Sequence, residues 1–219
     1  MLGDWTSNRG LGLDYSQHEC HEPITTGAII KTLETPETEV FWDIGSAYGY
    51  FGIIALDKTS PSNIHLFEPD EIASSFISKN NYRYGDGQMT LNERPVGSTN
   101  GCLGLDEYYS DNSCPDIVKI DVDGQEEDIL STMTQTLDEC QPELLIEIHF
   151  SSGYYERRKK IIELLSNFGY KFEICYRHRD RDSEWTEIGG IDNLPSIQDL
   201  KQKESALLGA DYMLQGTPK

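Results

Sequence analysis

A glycine-rich turn between a strand and a helix is the first place where this sequence could hold a ligand. Residues 41–56 read as the end of a buried strand, a tight turn at residues 43–49, and an apolar helix. Glu68 follows nineteen residues after Gly49 and closes a second predicted strand. Glycines at such a junction let a ligand approach bare backbone, and an acidic residue ending the next strand can bind both hydroxyls of a ribose. The spacing therefore predicts a nucleoside-bearing cofactor.

The order of residues in this glycine turn distinguishes between classes of cofactor. A dinucleotide fold uses G-x-G-x-x-G to cradle a pyrophosphate, whereas the glycines here are Gly45, Gly49 and Gly52, in the pattern D-x-G-x-x-x-G. This pattern resembles motif I of the class I S-adenosylmethionine methyltransferases. Their cofactor is a sulfonium cation without phosphates, so the carboxylate of Asp43 could meet the amino group of its methionine moiety directly or through water. The alternative is a strand–helix junction that binds no ligand.

The motif I resemblance implies a set of cofactor-binding positions. The methionine end of S-adenosylmethionine is expected at the glycine turn, the ribose at the end of the second strand, and the adenine edge at a turn assigned by position alone. In that order, the expected cofactor-binding residues are Asp43, Gly45, Ser46 and Gly49, then Glu68 and Pro69, then Val96 and Gly97.

A second group of charged residues follows a later predicted strand. Lys119 and Asp121 alternate with apolar residues along residues 116–122, so they share a face that helices should cover. A buried lysine and aspartate usually pair or face a cleft. Asp123 and Glu126 could instead accept the free N–H groups at the start of the next helix. The segment predicts a functional role for Asp121 and a supporting role for Lys119.

These motifs occur in the order typical of one family. The glycine turn, Phe67-Glu68-Pro69, residues 119–126 and residues 142–149 together resemble the FkbM family of methyltransferases. The third motif of that family looks like K-x-D-V-E-G-x-E, and this chain has Asp123 where glutamate is usual. The resemblance implies S-adenosyl-L-methionine as cofactor and a hydroxyl group of a sugar or other small molecule as the methyl acceptor.

The chemistry of a hydroxyl acceptor suggests candidates for catalysis. Asp121 and His149 both end predicted strands, and an imidazole has an unperturbed pKa near neutrality, which suits proton transfer. We expect Asp121 and His149 to orient or deprotonate the acceptor, with Lys119 keeping Asp121 ionised. His149 could equally be a polar end to its strand. A divalent metal at Asp121 would need ligands that the sequence does not identify, and the spacing does not fit an EF-hand. No metal is therefore predicted.

Composition narrows the choice of partners. The 219 residues include 38 acidic and 18 basic side chains, giving a net charge of -20. Such a chain would repel nucleic acid and anionic membrane surfaces. This charge is common in proteins from high-salt cytoplasm and also occurs in ordinary acidic proteins. The expected partner is a small-molecule acceptor, and the sequence does not indicate an oligomeric state.

The termini and cysteines bear on localisation. The first residues lack the basic start and apolar core of a secretion signal, and no run of about 20 apolar residues could span a bilayer. Five cysteines without a C-x-x-C pair are interpreted as free thiols in a reducing compartment. We therefore expect a cytoplasmic protein without membrane insertion.

Alternating strands and helices predict the fold class α/β. They include predicted helices over residues 23–33 and 125–137 and predicted strands over residues 89–96 and 171–176. We expect a Rossmann-like class I methyltransferase fold, a seven-stranded mostly parallel sheet with an antiparallel last strand and helices on both faces. Residues 1–22 form a predicted N-terminal arm or cap, and residues 23–219 the methyltransferase domain. Two other functions stay open: a nucleotide-dependent oxidoreductase or sugar-modifying enzyme, and a non-catalytic regulator that binds the cofactor.

Overall fold

Eight strands of the described residues join in one sheet. The computed structural model describes residues 21–35, 38–149, 154–176, 185–188 and 212–218. The strands lie in the order β3-β2-β1-β4-β5-β8-β6-β7. Their bounds are β1 (Phe41–Ile44), β2 (Ile64–Phe67), β3 (Thr90–Asn92), β4 (Ile117–Ile120), β5 (Glu143–Ile148), β6 (Lys171–Tyr176), β7 (Thr186–Ile188) and β8 (Tyr212–Thr217).

The directions of the strands confirm the predicted fold class. Strands β1 to β5 pair in parallel, and β8 lies antiparallel between β5 and β6. These seven strands are the predicted mostly parallel sheet with its antiparallel last strand. The short strand β7 adds an eighth, antiparallel edge to β6, which the polar sequence around it did not predict. The strand order reverses between β1 and β4, where ligands bind in open sheets of this kind.

Helices cover both faces of the sheet. They are α1 (Pro23–Leu33), α2 (Tyr50–Ala55), α3 (Glu71–Tyr84), α4 (Leu105–Tyr109), α5 (Glu126–Ser131), α6 (Thr134–Glu139) and α7 (Tyr154–Asn167). Successive strand residues enter opposite cores: Phe41 packs in the core under α1 to α3, and Trp42 in the core under α5 to α7. Because side chains alternate along a strand, Asp43 and Lys119 lie on the same face as Phe41.

Two differences from the sequence prediction have local causes. The single helix expected over residues 125–137 is the pair α5 and α6, and the unpredicted helix α4 explains the break. The backbone amide of Asp106 donates to the carbonyl of Thr132 at 2.7 Å. The Asp106 carboxylate accepts from the N–H groups of Gln135 and Thr136 at 3.0 and 2.9 Å. A distant aspartate thus ends one helix and caps the next. The third strand, predicted over residues 89–96, is the shorter β3.

The prediction that all cysteines are free thiols was wrong for two of them. Cys114 and Cys140 form a disulfide across a sequence separation of 26 residues, with Cα atoms 5.5 Å apart. Cys114 precedes β4 and Cys140 precedes β5, and the parallel pairing of these strands brings the two side chains together. Sequence spacing alone could not show this. Cys102 and Cys175 are free. The inference of a reducing, cytoplasmic compartment therefore loses the support of these thiols.

The expected domain boundary lies largely outside the described residues. Residues 1–20 of the predicted arm are not described, and of the polar stretch 177–206 only residues 185–188 are. Within the described part of the chain, every helix is too short or too polar to cross a lipid bilayer.

Candidate functional site

A cavity of about 510 Å³ opens where β1, β2 and β4 end, at the reversal of strand order. It brings together residues that are far apart in the sequence. Five predicted site residues line it: Gly45, Glu68, Pro69, Val96 and Asp121. The cavity therefore joins the glycine turn to the acidic segment after β4.

The glycine turn needs glycine for a steric reason. Gly45 has φ +79°, and a Cβ atom there would lie 1.8 Å from the carbonyl oxygen of Asp121. Gly49 has φ +77°, and its Cβ would lie 3.3 Å from the side chain of Ile77 on α3. Gly45 thus lets the ends of β1 and β4 approach closely. Gly49 does not line the cavity but allows the turn to enter α2.

Ser46 connects the ends of β1 and β2. Its hydroxyl donates to the carbonyl of Asp43 at 2.6 Å and accepts from the amide of Phe67 at 3.0 Å. The amides of Gly45 and Ser46 both donate to the carbonyl of Phe67. Ser46 is buried and does not line the cavity. Its bonds fix the turn that borders the cavity.

Glu68 lies at the cavity wall with its carboxylate held by backbone. Oε2 accepts from the amide of Ala47 at 2.8 Å, and Oε1 accepts from the amide of Asp70 at 2.9 Å. Asp70 caps α3 through the amides of Ile72 and Ala73. The carboxylate of Glu68 is therefore fixed in position at the cavity wall, and a carboxylate can accept about four hydrogen bonds in all.

The turn after β3 forms another wall. Val96 lines the cavity and makes an isolated parallel bridge with Leu103. Gly97 has φ +155°, and a Cβ there would lie 2.6 Å from Oδ2 of Asp128. That oxygen accepts from the amide of Ser98 at 2.9 Å, and the other carboxylate oxygen accepts from the Ser98 hydroxyl. Asp128, which the sequence analysis did not select, thus holds the turn from α5.

Asp43, Lys119 and Asp121 form a buried chain of charges below the cavity. The Lys119 ammonium lies 3.5 Å from Oδ1 of Asp43 and 3.2 Å from Oδ2 of Asp121. It also lies 4.8 Å from the centre of the Phe51 ring. The predicted pairing of Lys119 with Asp121 is present. Asp43 is fully buried and does not line the cavity, so only Asp121 of the three reaches it.

Burial and charge act in opposite directions on this chain. Burial raises the pKa of Asp43 to about 6, although the Lys119 ammonium pulls it down. Burial disfavours the charged form of Lys119, but the carboxylates of Asp121 and Asp43 outweigh it and raise the pKa of this lysine. At neutral pH Lys119 is therefore a fixed cation between two carboxylates.

His149 lies at the centre of a set of carboxylates, here called the imidazole cluster: Asp121, Asp123, Glu126, Glu147 and His149. Nδ1 of His149 is 2.9 Å from Oε1 of the buried Glu126. Nε2 is 3.3 Å from Oδ1 of Asp121, 3.4 Å from Oδ1 of Asp123 and 3.9 Å from Oε1 of Glu147. The structure thus brings Asp121 and His149 together, as predicted.

The sequence analysis gave no functional role to two buried glutamates of the imidazole cluster. Glu126 was considered as a helix-terminal acid, yet its carboxylate bonds His149 and the amide of Gly124 and lies 3.6 Å from Arg157. Glu147 precedes His149 by two residues and is fully buried. Alternation along β5 places Glu147 and His149 on one face of the sheet, and this pattern is the signal that could have found Glu147. Asp121, Glu147 and His149 each offer an atom within 4.8 Å of the others, a spacing that could hold a metal ion.

Two residues before α1 also reach the site. His21 and Glu22 line the cavity, and Glu22 is buried with φ 42°. His21 packs edge-on against the ring of Tyr50. The sequence analysis predicted an arm or cap over residues 1–22 but did not select these two residues.

Comparison with known proteins gives this geometry a family context. The family described as Methyltransferase FkbM domain matches residues 101–172, which include β4, the imidazole cluster and β5. A curated relative, the hexuronic acid methyltransferase AglP of Haloferax volcanii, is 27% identical over 176 residues, which cover 68% of this chain and 70% of that protein.

Solved structures agree on the fold. Methyltransferase FkbM from Methylobacillus flagellatus has a TM-score of 0.53 at 17% identity, over 93% of this chain and 50% of that one. The O-methyltransferase from Bacillus cereus in complex with S-adenosylhomocysteine has a TM-score of 0.54 at 13% identity, over 90% and 80% of the two chains. At these identities the likeness concerns the arrangement of strands and helices.

Proposed function

We propose that the chain is an FkbM-type S-adenosylmethionine-dependent methyltransferase that methylates a hydroxyl group of a sugar of the hexuronic acid class. One observation carries the proposal: a single cavity is lined both by the glycine turn with Glu68 and by Asp121 and Asp123. Donor and acceptor groups could therefore meet in one enclosed space. The choice of sugar is supported by the name of the Haloferax relative.

The cofactor lies, in this proposal, along the glycine turn with its ribose on Glu68. The two carboxylate oxygens of Glu68 are already oriented at the cavity wall by the amides of Ala47 and Asp70, and carboxylate oxygens accept well from hydroxyl groups. Pro69 and Val96 border the space left for adenosine, and Gly97 shapes the turn beyond it. Gly45, which lines the cavity, offers its backbone to the methionine end, and Gly49 lets the turn enter α2. Asp43 acts from below, through the negative charge that it brings near the sulfonium and amino groups.

The acceptor hydroxyl lies against the imidazole cluster. Methyl transfer is an in-line attack on the sulfonium methyl, so alignment of the two reactants and exclusion of water supply much of the rate. Asp121 and His149 orient the hydroxyl and lower the cost of losing its proton. Lys119, 3.2 Å from Asp121, keeps that carboxylate ionised and fixed.

His21 and Glu22, which directly precede α1, contribute in this proposal to a cap over this space. Support comes from His21 and Glu22, which line the cavity although they lie outside the sheet and its covering helices. A cap there would help to exclude water from the reacting groups.

The experiment is methyl transfer from labelled S-adenosylmethionine to hexuronic acids, free and glycosidically linked, with the matching neutral hexoses as comparison. We expect labelled product from the hexuronic acids that resists mild alkali. An alkali-labile product would be a methyl ester and would overturn the hydroxyl assignment. Tight NADH binding without S-adenosylhomocysteine binding would favour the oxidoreductase alternative, and cofactor binding without turnover on any acceptor would favour the regulator.

Variants separate the catalytic roles from cofactor binding. Asp121→Asn and His149→Asn should each lower turnover about 100-fold or more, the usual contribution of acid–base groups. S-adenosylhomocysteine affinity, measured by calorimetry, should change less than about twofold. Asp138→Asn, at an exposed carboxylate of α6, is the matched control and should leave both quantities unchanged. Unchanged turnover in both site variants would make these residues structural.

A further inference from the structure

We propose that the imidazole cluster binds a divalent cation of the Mn²⁺ class between Asp121, Glu147 and His149. This proposal rests on the proposed function only for the role of the ion, because binding itself requires no acceptor. The three side chains come from the ends of the adjacent strands β4 and β5. Their ligand atoms all lie within 4.8 Å of one another.

The first argument is the surroundings of Nε2 of His149. This nitrogen faces oxygens of three carboxylates, from Asp121, Asp123 and Glu147, at 3.3, 3.4 and 3.9 Å. A neutral imidazole whose Nε2 carries a lone pair would repel all three. The Lys119 ammonium, 3.2 Å from Asp121, offsets part of this negative charge, and a proton on Nε2 or a bound metal ion would offset more of it.

The distances bear on the choice between the proton and the metal. A charged imidazole that donates from Nε2 would approach one oxygen to about 2.7–2.9 Å. Nε2 instead keeps 3.3 Å or more from all three oxygens. Two ligands of a metal with bonds of about 2.1 Å lie about 3.0 Å apart in an octahedron and about 3.4 Å apart in a tetrahedron. The separation of 3.3 Å from Nε2 to Oδ1 of Asp121 fits two ligands of one metal, and Oε1 of Glu147, 3.9 Å from Nε2, would move closer when the ion binds.

The second argument is the orientation of the ring. Nδ1 lies 2.9 Å from Oε1 of Glu126, a carboxylate that is fully buried and itself accepts from the amide of Gly124. Glu126 therefore fixes Nδ1 as the protonated nitrogen and leaves the Nε2 lone pair directed at the other carboxylates. A histidine that bonds a carboxylate through one nitrogen and a metal through the other is the common arrangement in metal sites.

Asp121 can serve this ion without losing its lysine. Its Oδ2 accepts from the Lys119 ammonium at 3.2 Å, whereas Oδ1 is the oxygen that faces His149. Glu147 is fully buried, Asp121 is 26% exposed and His149 is 14% exposed, so the ion would sit at the inner end of the site with one side open to the cavity. Carboxylate and imidazole ligands together suit Mn²⁺ better than Mg²⁺, which binds few all-protein cages.

The open side gives the ion its role in methyl transfer. An acceptor hydroxyl that coordinates the ion becomes more acidic, so its oxygen attacks the sulfonium methyl as the proton leaves to solvent. Asp121 and His149 then act as ligands that orient the hydroxyl through the ion. The O–H and S–CH₃ bonds break and the O–CH₃ bond forms; the electron pair of the S–CH₃ bond stays on sulfur, so S-adenosylhomocysteine leaves uncharged at sulfur.

The test is titration of the full, metal-stripped chain with Mn²⁺, followed by calorimetry and by the electron paramagnetic resonance of free Mn²⁺. We expect one site, weakened at least about tenfold in each of Asp121→Asn, Glu147→Gln and His149→Asn. Glu126→Gln should weaken it about 10–100-fold through ring orientation. Asp138→Asn is the matched acidic control and should bind as the unmodified chain does. Circular dichroism and S-adenosylhomocysteine affinity identify any variant that has failed to fold.

Two outcomes would overturn the inference. One is absence of Mn²⁺ binding up to about 1 mM, a concentration well above that of useful cofactor sites. The other is an equal Mn²⁺ affinity in Asp138→Asn and in the variants of the imidazole cluster. Failure of the proposed function looks different: Mn²⁺ binding that depends on the cluster, with no methyl transfer to any hexuronic acid. Full turnover in the presence of a chelator would instead show that the methyltransferase activity does not require the ion.

Discussion

The glycine turn and the imidazole cluster are two walls of one site, built in opposite ways. The turn is shaped by backbone: Gly45 meets a carbonyl, Ser46 bonds three backbone groups through its side chain and amide, and Glu68 is held by two amides. The imidazole cluster is made of side chains, with His149 among four carboxylates. One wall is set by steric fit, and the other by charge.

This difference implies different responses to mutation. Backbone contacts cannot relax by rotation of a side chain, so an added atom in the glycine turn must displace a strand end. An amide of the same shape in place of a carboxylate of the imidazole cluster adds no steric clash, although it costs some stability by weakening a buried ion pair. We therefore expect stability to depend on the turn and turnover to depend on the cluster.

The largest expected effect is on stability, from Gly45→Ala. Its new Cβ would lie 1.8 Å from the carbonyl oxygen of Asp121, in a residue with φ +79°. Such a clash with backbone should lower the free energy of unfolding by more than about 4 kcal/mol, the range of exceptional substitutions. Urea unfolding followed by circular dichroism measures it.

Gly87→Ala is the matched control, because Gly87 also has positive φ (+72°) but nothing lies within 4 Å of its would-be Cβ. The free energy of unfolding of this variant should fall only by the cost of placing alanine in a left-handed backbone conformation, about 1 kcal/mol. Equal losses in the two variants would mean that the contact with β4 contributes nothing and that the glycine turn is not a steric junction.

The next effect is reduction of the disulfide, which lies at the opposite ends of the strands that carry the imidazole cluster. Closing a loop of 26 residues stabilises the fold by about 3.5 kcal/mol in the chain-entropy treatment. Dithiothreitol should therefore lower the free energy of unfolding by about that amount, with S-adenosylhomocysteine affinity changed less than twofold.

The double variant Cys114→Ser and Cys140→Ser is the control, since it should unfold as the reduced chain does and ignore dithiothreitol. Insensitivity of the unmodified chain to the reductant would contradict the bond and restore the interpretation of free thiols. The same comparison shows whether the β4–β5 half can loosen independently of the glycine turn.

The glycine turn was largely predictable from sequence. Its function depends on local backbone, so Gly45, Gly49 and the spacing to Glu68 carry the signal within a few residues of each other. Helix α1 and strand β6 were predicted with their observed bounds for a similar reason, since a local apolar pattern sets them. Ser46 was selected from its position, but only the structure shows that its hydroxyl bonds backbone between two strands.

The imidazole cluster was only partly predictable, because its members meet through sheet pairing. Asp121 and His149 were selected as strand ends, but the bonds of Glu126 and the burial of Glu147 follow from how β4, β5 and α5 pack. The same limit explains the missed disulfide and the break between α5 and α6, which Asp106 makes from α4. Long-range contacts leave no periodic pattern in a single sequence.

A smaller effect is expected at the wall that Glu68 provides. Glu68→Ala should weaken S-adenosylhomocysteine binding by about 1–3 kcal/mol, the size of lost hydrogen bonds to a charged group. Glu68→Gln keeps the shape of the side chain and should lose less. Glu71→Ala removes a nearby exposed carboxylate in the first turn of α3 and is the control, with affinity unchanged. If calorimetry gave the same affinity for Glu68→Ala and the unmodified chain, the ribose assignment would be wrong.

The smallest effect is a pH dependence that links the two walls through Asp43. Burial raises the pKa of Asp43 to about 6, so this carboxylate becomes protonated as the pH falls through that value. About nine-tenths of Asp43 is then ionised at pH 7 and about one-tenth at pH 5, which is a tenfold change in the charged form. The amino group of the cofactor is cationic, so its binding requires the ionised form. Affinity should therefore be constant above pH 7 and weaken up to about tenfold by pH 5.

Calorimetry with S-adenosylhomocysteine at pH 5, 6, 7 and 8 measures this profile. Asp43→Asn should bind weakly at every pH with no midpoint near 6. His149→Asn removes the nearby imidazole and should keep the midpoint, which would exclude the imidazole as the titrating group. If Asp43→Asn does not fold, a carbon NMR titration of the Asp43 carboxyl group gives the same midpoint in the unmodified chain. Full affinity at pH 5 would show that Asp43 only neutralises Lys119, 3.5 Å away, and that the glycine turn binds the methionine end through backbone alone.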